Sequence, residues 1–333
     1  MKKWPPQHSH FNDKEAIMQS PLFIGVDVAK SEVVIACSES SFPVRAVANE
    51  LAALKKFLKQ LPPGSSIAME ATGAYHQVLA DLAFQMGLHV YVLNPKDTRH
   101  YAKGVGARAK TDNVDAMLIA RYLAHEVKEL RRYEPATPEQ RTMDELLKRR
   151  AKIVSLKTAF RLTCDGAPSL KVKSAKLLDN FTDLLKQIDQ DIAALNKDIP
   201  NRDEQVCRLQ SIAGVGLLTS SWLANLFDRV RFTNSDAVVA FVGMDPRPCD
   251  SGQKRGRRRL SKRGPAEGRR LLFNAGMAAA KSKVWAPVYQ HYRQLGWPST
   301  AAIMIIARKI LRVAFSLFKN GVDFNSDLIS IKT

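Results

Sequence analysis

The first third of the chain alternates between short apolar runs and amphipathic segments. Apolar runs bounded by turn residues predict β-strands at residues 22–28, 32–37, 42–47, 66–69 and 89–93. Apolar residues at helical spacing predict helices at 50–61 and 75–86. A three-strand meander followed by alternating helices and strands is typical of a mixed α/β sheet domain, which we place at residues 21–134.

Two long helices are predicted next. Thr137 and Pro138 form an N-cap with proline at the first helical position, and this helix extends to about Thr163. The second helix carries a heptad seam of apolar residues: Leu178, Phe181, Leu185, Ile188, Ile192, Leu195 and Ile199. The break at residues 165–168 predicts an antiparallel coiled-coil hairpin over 135–200, which also suits pairing between protomers.

The last third of the chain has helical patterning, which predicts an all-helical domain over residues 201–333. Helices are predicted at 205–209, 217–227, 235–243, 266–282, 286–295 and 298–319, with a basic loop at 244–265. Gly214 and Gly216 lie between two of these helices. They suit the phosphate-holding turn of a helix-hairpin-helix unit, and they suit equally well a plain corner that requires a positive φ.

The chain is strongly basic, and its charge is unevenly distributed. The formal net charge is +19, well beyond the roughly 2–8 that solubility asks of a small domain. Residues 245–320 hold 17 Lys and Arg against 3 Asp and Glu, so most of the excess lies in less than a quarter of the chain. This excess indicates a polyanionic partner, nucleic acid first and an anionic membrane surface second.

The rest of the composition narrows the setting. The four cysteines form no C-x-x-C pair, which argues against a zinc site or a disulfide framework and fits a reducing cytoplasm. Residues 1–20 lack the apolar segment of a signal peptide and are interpreted as a flexible extension. The longest apolar stretch, residues 301–307, is too short to span a bilayer, so we expect no membrane partner.

Two carboxylates near strands are candidates for metal chemistry. Asp27 interrupts an apolar first strand, where a charge is costly unless it is paired or binds a metal. Pairing with Lys30 explains it equally well. Glu70 follows the strand at 66–69, at the end where α/β sheets bind ligands. A helix dipole would also favour a glutamate there.

Asp112 and Asp115 form the second half of the acidic set. They lie three residues apart on a predicted helix and share one face, which suits two metal ions about 3.5–4 Å apart. Each taken singly is explained as a helix N-terminal acid. Together the four acids have the layout of an RNase H-like nuclease, and oxygen ligands without clustered His or Cys favour Mg²⁺, with one or two ions per site.

Six segments together strongly resemble one family. They are GVDVAK at 25–30, EATG at 70–73, KTDNVDA at 110–116, IAGVG at 212–216, FVGMDPR at 241–247 and DSG at 250–252. Their combination resembles the DEDD transposases of the insertion sequence 110 and 1111 group. The likeness covers nearly the whole chain after about residue 21.

The resemblance implies a fold, a chemistry and partners. The fold is a RuvC-type RNase H domain, a coiled-coil middle and a helical transposase domain. Asp27, Glu70, Asp112 and Asp115 are implied to hold Mg²⁺. Ser251 is implied to attack a DNA phosphate, giving a 5′-phosphoserine intermediate, with strand exchange through a Holliday junction.

The implied partners are nucleic acids and further copies of the chain. A structured non-coding bridge RNA pairs with target DNA through one loop and with donor DNA through another. Composite active sites join the acidic domain of one subunit to the serine domain of another, in a dimer to tetramer. The implied location is the bacterial cytoplasm, at the nucleoid when the enzyme acts.

The sequence departs from the family pattern in two places. About 20 residues precede the usual start of the family, and the loop after Ser251, residues 253–259, is unusually rich in arginine. Candidate nucleic-acid contacts here are Lys254, Arg255, Arg257, Arg258, Arg259, Lys262 and Arg263. A solvated loop is the simpler explanation, but this density without an acid favours phosphate contacts. Ser251 alone suits an ordinary turn; as a nucleophile it needs activation, and no histidine lies nearby in the sequence.

Three other functions compete with an RNA-guided recombinase. A metal-only Holliday-junction resolvase or nuclease, recognising DNA without RNA, needs the four acids but not Ser251. An actin-like ATPase or sugar kinase shares the Gly-Val-Asp strand, but the chain lacks the second glycine-rich phosphate loop of such a protein. A non-catalytic RNA-binding protein would tolerate loss of Asp27 or Asp112. We therefore predict a recombinase that cleaves and exchanges donor and target DNA strands.

Overall fold

The chain divides into two compact units, Met1–Pro135 and Ala136–Thr333, and each is described by itself. The computed structural model describes residues 21–39, 42–71, 73–107, 111–248, 250–252, 256 and 258–329. The predicted N-terminal extension and the predicted contacts Lys254, Arg255 and Arg257 lie outside the described residues. The finer domain boundaries at residues 134 and 200 stay predictions.

The first unit is built on a five-stranded mixed sheet. Its strands are β1 (Phe23–Val28), β2 (Glu32–Cys37), β3 (Arg45–Ala48), β4 (Ser66–Glu70) and β5 (His89–Leu93). Their order is β3-β2-β1-β4-β5. The first three strands pair antiparallel, whereas β4 pairs parallel with both β1 and β5. The α/β class predicted for this part of the chain is confirmed, and the mixed sheet fits a RuvC-type domain.

Helices cover both faces of this sheet. The helices of the unit are α1 (Leu51–Leu58), α2 (Gln77–Gln85), α3 (Pro95–Gly104) and α4 (Asp112–Glu126). Ile24 and Val26 of β1 share a core with Leu54 of α1 and Leu79 of α2. Side chains alternate between the faces of a strand, so the residues between them face the opposite side, which α4 covers.

Helix α4 approaches β1 closely because of a glycine. A Cβ added to Gly25 would lie 2.2 Å from the Ala116 carbonyl oxygen and 2.2 Å from the Ala120 amide nitrogen. Only a residue without a side chain lets the helix backbone come this near. Ala116 and Ala120 are themselves fully buried. The contact therefore determines where along the strand the helix crosses.

The second unit is helical apart from one short strand pair, within the residues described. Its elements are α5 (Pro138–Cys164), α6 (Lys171–Asp198), α7 (Arg202–Gln210), α8 (Leu217–Arg229), α9 (Ser235–Val242), β6 (Pro246–Arg247), β7 (Arg259–Leu260), α10 (Ala266–Ala279), α11 (Ala286–Gln294) and α12 (Ser299–Asn320). One core joins Met143 of α5 to Leu223, Leu272 and Ile310 of later helices. None of the described helices is both long and apolar enough to cross a bilayer.

Helices α5 and α6 are the predicted pair of long helices. Thr137 caps α5 in a capping box with Gln140. Seam residues Ile188 and Ile192 of α6 are buried near the base of the pair, and the remaining seam residues are half-buried. Near the turn, Leu162 and Val172 are exposed. The coiled-coil character predicted from the seam stays a prediction.

Two segments differ from the sequence-based prediction. Residues 95–104, where no helix is predicted, form α3, because the Asn94 side chain accepts from the Lys96 amide and Pro95 stands at the first helical position. Residues 244–265, predicted as a basic loop in an all-helical domain, contain the antiparallel pair β6–β7. Strands of two residues are too short to show an alternating pattern.

Replacing Gly25 with Ala tests the close contact between β1 and α4. The new Cβ overlaps backbone atoms, which no side-chain rotation relieves, so we expect a loss of about 1–3 kcal/mol of stability. The measurement is the midpoint of urea unfolding. Gly104→Ala, where nothing lies within 4 Å of the added Cβ, is the control and should be neutral or slightly stabilising. Equal midpoints for the two variants would contradict the contact.

Candidate active site

The contact at Gly25 brings two acidic segments together. Asp27 lies two residues beyond Gly25 on β1, on the face that α4 covers. Asp112 lies one helical turn before Ala116 on α4. Two strand residues and one helical turn each advance the chain by about 5–7 Å. The first turn of α4, which also contains Asp115, therefore lies beside Asp27.

Glu70 joins this group from the neighbouring strand. Strand β4 runs parallel to β1, with Gly25 opposite Ala68 and Val26 opposite Met69. Continuing this register by one residue brings Glu70 level with Asp27. The strand, the adjacent strand and the helix therefore each contribute acids to one end of the sheet.

The charges of the four acids act on one another. The pKa of Asp27 is raised to about 6, first by burial and then by the negative charges of Asp112, Asp115 and Glu70. Burial and like charges both disfavour the ionised form. Within the described part of the chain, however, no group of three His, Cys, Asp or Glu side chains is arranged to hold a metal ion as it stands. The acids are thus neighbours at electrostatic range and do not form a closed cage.

The donor set nevertheless fits a hard divalent cation. Carboxylate oxygens are preferred ligands of such ions, and a cation among them would remove the repulsion that raises the pKa of Asp27. Asp115 is half-buried and Asp112 exposed. The N-terminus of α4, where Thr111 accepts from the Val114 amide, also favours acids through its dipole. That dipole accounts for the Asp pair of α4 but does not explain Asp27 on the strand.

Thr98 contacts the acidic group, and sequence reasoning missed it. Its buried hydroxyl donates to Glu70 Oε1 and lies 3.2 Å from the Pro95 carbonyl oxygen. The contact arises because α3 begins directly after β5, the strand beside β4. Asn94 and Pro95, which we interpreted as the end of a strand, form the cap signal from which α3 could have been predicted.

Ser251 lies in the second unit, between strands β6 and β7, and is exposed. The neighbouring Asp250 accepts two hydrogen bonds from Arg258, at 2.6 and 2.9 Å, and one from the Gly256 amide at 3.1 Å. The Arg258 hydrogen bond holds the pKa of Asp250 below its usual range. Asp250 is therefore ionised and engaged with Arg258, and it links the two sides of the segment that carries Ser251.

The other nucleic-acid candidates have unequal surroundings. Arg258 is engaged with Asp250, whereas Arg259, Lys262 and Arg263 reach solvent. Lys262 adopts a positive φ of 52°, and its amide donates to the Gly243 carbonyl. The chain therefore turns sharply after β7 and presents these basic residues on a short, well-connected segment.

The structure explains the glycines at positions 214 and 216 differently. Gly214 has a φ of +95°, and a Cβ there would lie 2.6 Å from the Ala275 carbonyl oxygen of α10. Packing alone therefore accounts for this glycine. Gly216 caps α8 and has nothing within 4 Å of an added Cβ. Phosphate binding at this helix N-terminus stays a prediction.

The fold and these residues define a class of protein. A mixed sheet with acids gathered at one end, joined in one chain to a basic helical unit, is the organisation of a DEDD transposase. The family model for DEDD transposases of the IS110 type, described as "Transposase", matches residues 24–165. A second model, described as "Transposase IS116/IS110/IS902 family", matches residues 207–292. The chain belongs to the IS110/IS1111 family of transposases, and the predicted membership is confirmed.

Relatives agree with this membership. The pilin gene-inverting protein of Moraxella lacunata is 28% identical over 269 residues, 78% of this chain and 81% of the relative. The transposase for insertion sequence element IS1328 of Yersinia enterocolitica is 25% identical over 346 residues, 92% of this chain and 100% of the relative. The transposase for IS1111A of Coxiella burnetii is 28% identical over 244 residues, 64% of this chain and 65% of the relative.

Family membership identifies the general activity. The chain is a transposase or recombinase, an enzyme that cleaves and rejoins DNA strands. DEDD transposases are generally dependent on a divalent metal. The acidic group of the first unit is the part of the described chain whose chemistry suits that requirement.

The raised pKa of Asp27 predicts a pH-dependent stability of the metal-free protein. The folded state binds this proton more tightly than an ordinary Asp with a pKa of 3.8. The resulting stabilisation is therefore complete below about pH 4 and is lost as the pH rises to about 6. Asp27→Asn cannot ionise, so it should stabilise the protein more at about pH 7.5 than at about pH 4.5. Urea unfolding in the presence of a chelator measures this difference.

Asp179→Asn provides the control for this measurement. Asp179 is exposed on α6, so its replacement should change stability little. If the gain in stability from Asp27→Asn did not depend on pH, ionisation of Asp27 would not be unfavourable in the folded protein.

Proposed function

We propose that this transposase is an RNA-guided DNA recombinase that cleaves and exchanges donor and target strands of an insertion sequence. The observation that supports the metal-dependent cleavage is the position of Asp27, Glu70 and the first turn of α4 at one end of the sheet. Acids placed this way are costly unless a cation joins them. Serine chemistry and RNA guidance rest on the family resemblance, and each has its own test.

Mg²⁺ is the proposed cation. Asp27, Glu70, Asp112 and Asp115 would hold one or two ions, because all their donor atoms are hard oxygens. Bound there, Mg²⁺ would supply stabilisation of the charge that develops on a phosphodiester. The chain's own part is to align the carboxylates through the β1–β4 register and the first turn of α4. Thr98 adds a hydrogen bond that orients Glu70.

Ser251 is the proposed nucleophile. Its Oγ attacks a backbone phosphorus, so that an Oγ–P bond forms and the bond from phosphorus to the 3′ oxygen breaks. The proton lost by serine ends on the departing 3′ hydroxyl, and the 5′ end remains as a phosphoserine ester. Attack by the 3′ hydroxyl of the exchanged strand reverses the step and restores Ser251. Phosphodiester energy is conserved, so strand joining needs no external energy source.

The source of serine activation lies outside the Ser251 segment in this proposal. Asp250 is next in sequence, but its pKa is depressed by Arg258, which makes it a poor proton acceptor. A serine with no base beside it requires activation from another group. The acidic metal site, supplied by another subunit, is the proposed source, which implies a homo-oligomer from dimer to tetramer.

Phosphate contacts are the proposed role of the basic segment. Arg259, Lys262 and Arg263 are exposed, and Arg258 is close to Ser251 in the chain. Lys254, Arg255 and Arg257 belong to the same proposal by sequence, as do the backbone amides near Gly214 and Gly216. Such contacts position nucleic acid without reading its sequence. This suits an enzyme whose DNA sites are chosen by pairing with a structured bridge RNA, acting at the nucleoid in the bacterial cytoplasm.

Thermal unfolding reports Mg²⁺ binding without any reaction. Mg²⁺ should raise the melting temperature of the wild type, because a ligand that binds only the folded state stabilises it. Asp112→Asn should abolish this rise. Thr98→Val removes the hydroxyl that donates to Glu70 and should reduce the rise, whereas Thr98→Ser should restore it. If Mg²⁺ raised the melting temperature equally in Thr98→Val and Thr98→Ser, the hydroxyl would have no role in binding. If Mg²⁺ raised the melting temperature of Asp112→Asn as much as that of the wild type, Asp112 would not be a ligand of the ion.

A covalent protein–DNA adduct tests the serine step. Ser251→Ala should abolish the adduct on a denaturing gel and leave the unfolding midpoint unchanged, because the side chain is exposed. Ser316→Ala, an exposed serine on α12 of the same unit, is the matched control and should retain the adduct. An adduct that persists in Ser251→Ala would shift the assignment to the second candidate, a metal-only junction resolvase or nuclease.

RNA bound during expression tests guidance. With the flanking DNA of its own element present, the protein should co-purify with one structured RNA species that maps to that flank. Sequencing the bound RNA end to end identifies it. Mixed cellular RNA that salt removes would contradict RNA guidance and leave a recombinase that recognises DNA by itself.

A further inference from the structure

Arg308 carries a positive charge that the described residues compensate only weakly. It is half-buried on α12, and its buried Nε has no hydrogen-bond partner among the described residues. Burial and then the charge of Arg312 lower its pKa, while Tyr292 and Asp245 act more weakly in the other direction. A half-buried charge without a partner is unfavourable in the folded protein.

Two neighbouring arginines, in contrast, have hydrogen-bond partners for their guanidinium groups. Arg312, one turn along α12, donates to Asp236 at 2.7 Å. Arg269 of α10 donates to the carbonyl oxygens of Val242 and Gly264 at 3.0 and 2.6 Å. Each of these guanidinium groups has a partner within the chain. Arg308 differs from both because its Nε is buried without a hydrogen-bond partner among the described residues.

The position of Arg308 relates it to the segment that carries Ser251. Asp245, whose charge reaches Arg308, immediately precedes β6 and accepts from the Ser261 hydroxyl that follows β7. Arg308 lies on α12, which packs against α9, and it is within electrostatic range of the residue that leads into β6. Ser251 follows Asp245 by six positions in the chain, so their Cα atoms lie at most about 22 Å apart. A DNA strand passing Ser251 has several backbone phosphates within that reach.

We propose that Arg308 binds a backbone phosphate of the DNA strand that runs past Ser251. A guanidinium group matches the two outer oxygens of a phosphodiester through paired hydrogen bonds. The phosphate would supply the hydrogen-bond acceptor that Arg308 Nε lacks among the described residues, and a full negative charge in addition to the weaker attraction of Asp245. The inference rests on the proposed place of Ser251 in the reaction, but its test measures DNA binding directly and does not depend on an adduct.

Stability and DNA affinity together distinguish a phosphate-binding Arg308 from an arginine that only supports the fold. Arg308→Met keeps an apolar stem of similar length and removes the charge. Because the charge is only weakly compensated, the variant should be as stable as the wild type or more stable, with an equal or higher urea midpoint and the same slope. Its affinity for a short fluorescein-labelled DNA duplex should nevertheless fall, by about three- to tenfold. The slope of log affinity against log salt concentration should become shallower by about one, as expected for one lost phosphate contact.

Two further variants separate this site from a general loss of charge. Arg312→Met removes the same charge one turn away, but it breaks the pair with Asp236. It should therefore not stabilise the protein, and its salt slope should change less than that of Arg308→Met. Arg308→Lys keeps the positive charge but loses the paired hydrogen bonds of the guanidinium group. It should therefore retain most of the salt slope while binding DNA more weakly than the wild type.

The same measurements define the results that would overturn the proposal. An Arg308→Met protein that loses stability and keeps its DNA affinity would make Arg308 a structural residue. Equal changes of salt slope in Arg308→Met and Arg312→Met would reduce the effect to net charge. A loss confined to a labelled RNA duplex of the same length, with DNA binding intact, would assign the site to RNA. Loss of the adduct in Ser251→Ala bears on the serine step alone, so the two proposals fail separately.

Discussion

The contact of helix α4 with the backbone of Gly25 determines the geometry of the first unit. With the Ala116 carbonyl and the Ala120 amide seated where a side chain would otherwise be, the helix has one register along β1. That register places its first turn, and hence Asp112 and Asp115, beside Asp27. The parallel pairing of β4 with β1 then brings Glu70 to the same end of the sheet. The four acids come from three separate segments of the sequence, and the Gly25 contact and the β1–β4 pairing bring these segments together.

Both units contain unfavourable electrostatics, of opposite sign. In the first unit, burial and three other acids oppose the ionisation of Asp27. In the second, burial and Arg312 oppose the charge of Arg308. Most charged groups nearby are compensated, as the pairs of Asp250 with Arg258 and of Asp236 with Arg312 show. Sites that give up folding stability for ligand binding are common where a protein functions. The proposed ligands, a cation at Asp27 and a phosphate at Arg308, would relieve these two unfavourable charges.

Local signals in the sequence predicted the strands, the long helices and the position of each acid in its element. Asp27 was recognisable because a charge interrupts an apolar strand, and the capping box at Thr137 marked the start of α5. The helix α3 was missed because its Asn-Pro signal was assigned to the end of the preceding strand. Without α3, the contact of Thr98 with Glu70 could not be inferred.

Long-range compensation of charge was beyond sequence reasoning. Arg258, Arg308 and Arg312 are alike as residue types. Their differences arise from partners such as Asp236, which lies 76 positions from Arg312 in the chain. The pairing of β6 with β7 is similar, because two residues on each side leave no periodic pattern. Family membership identified the activity, and the coupling of the acids gave it a physical basis in this chain.

The long hairpin of α5 and α6 has a gradient of local stability along its length. With 27 residues, α5 is about 40 Å long. Its buried contacts, such as Met143 and Leu147 with Ile188 and Ile192, concentrate at the base. Towards the turn, Leu162 is 62% exposed and Val172 is 83% exposed, so little apolar burial opposes fraying there. Amide hydrogens near the turn should exchange with solvent through local opening, while those at the base exchange only when the whole unit unfolds.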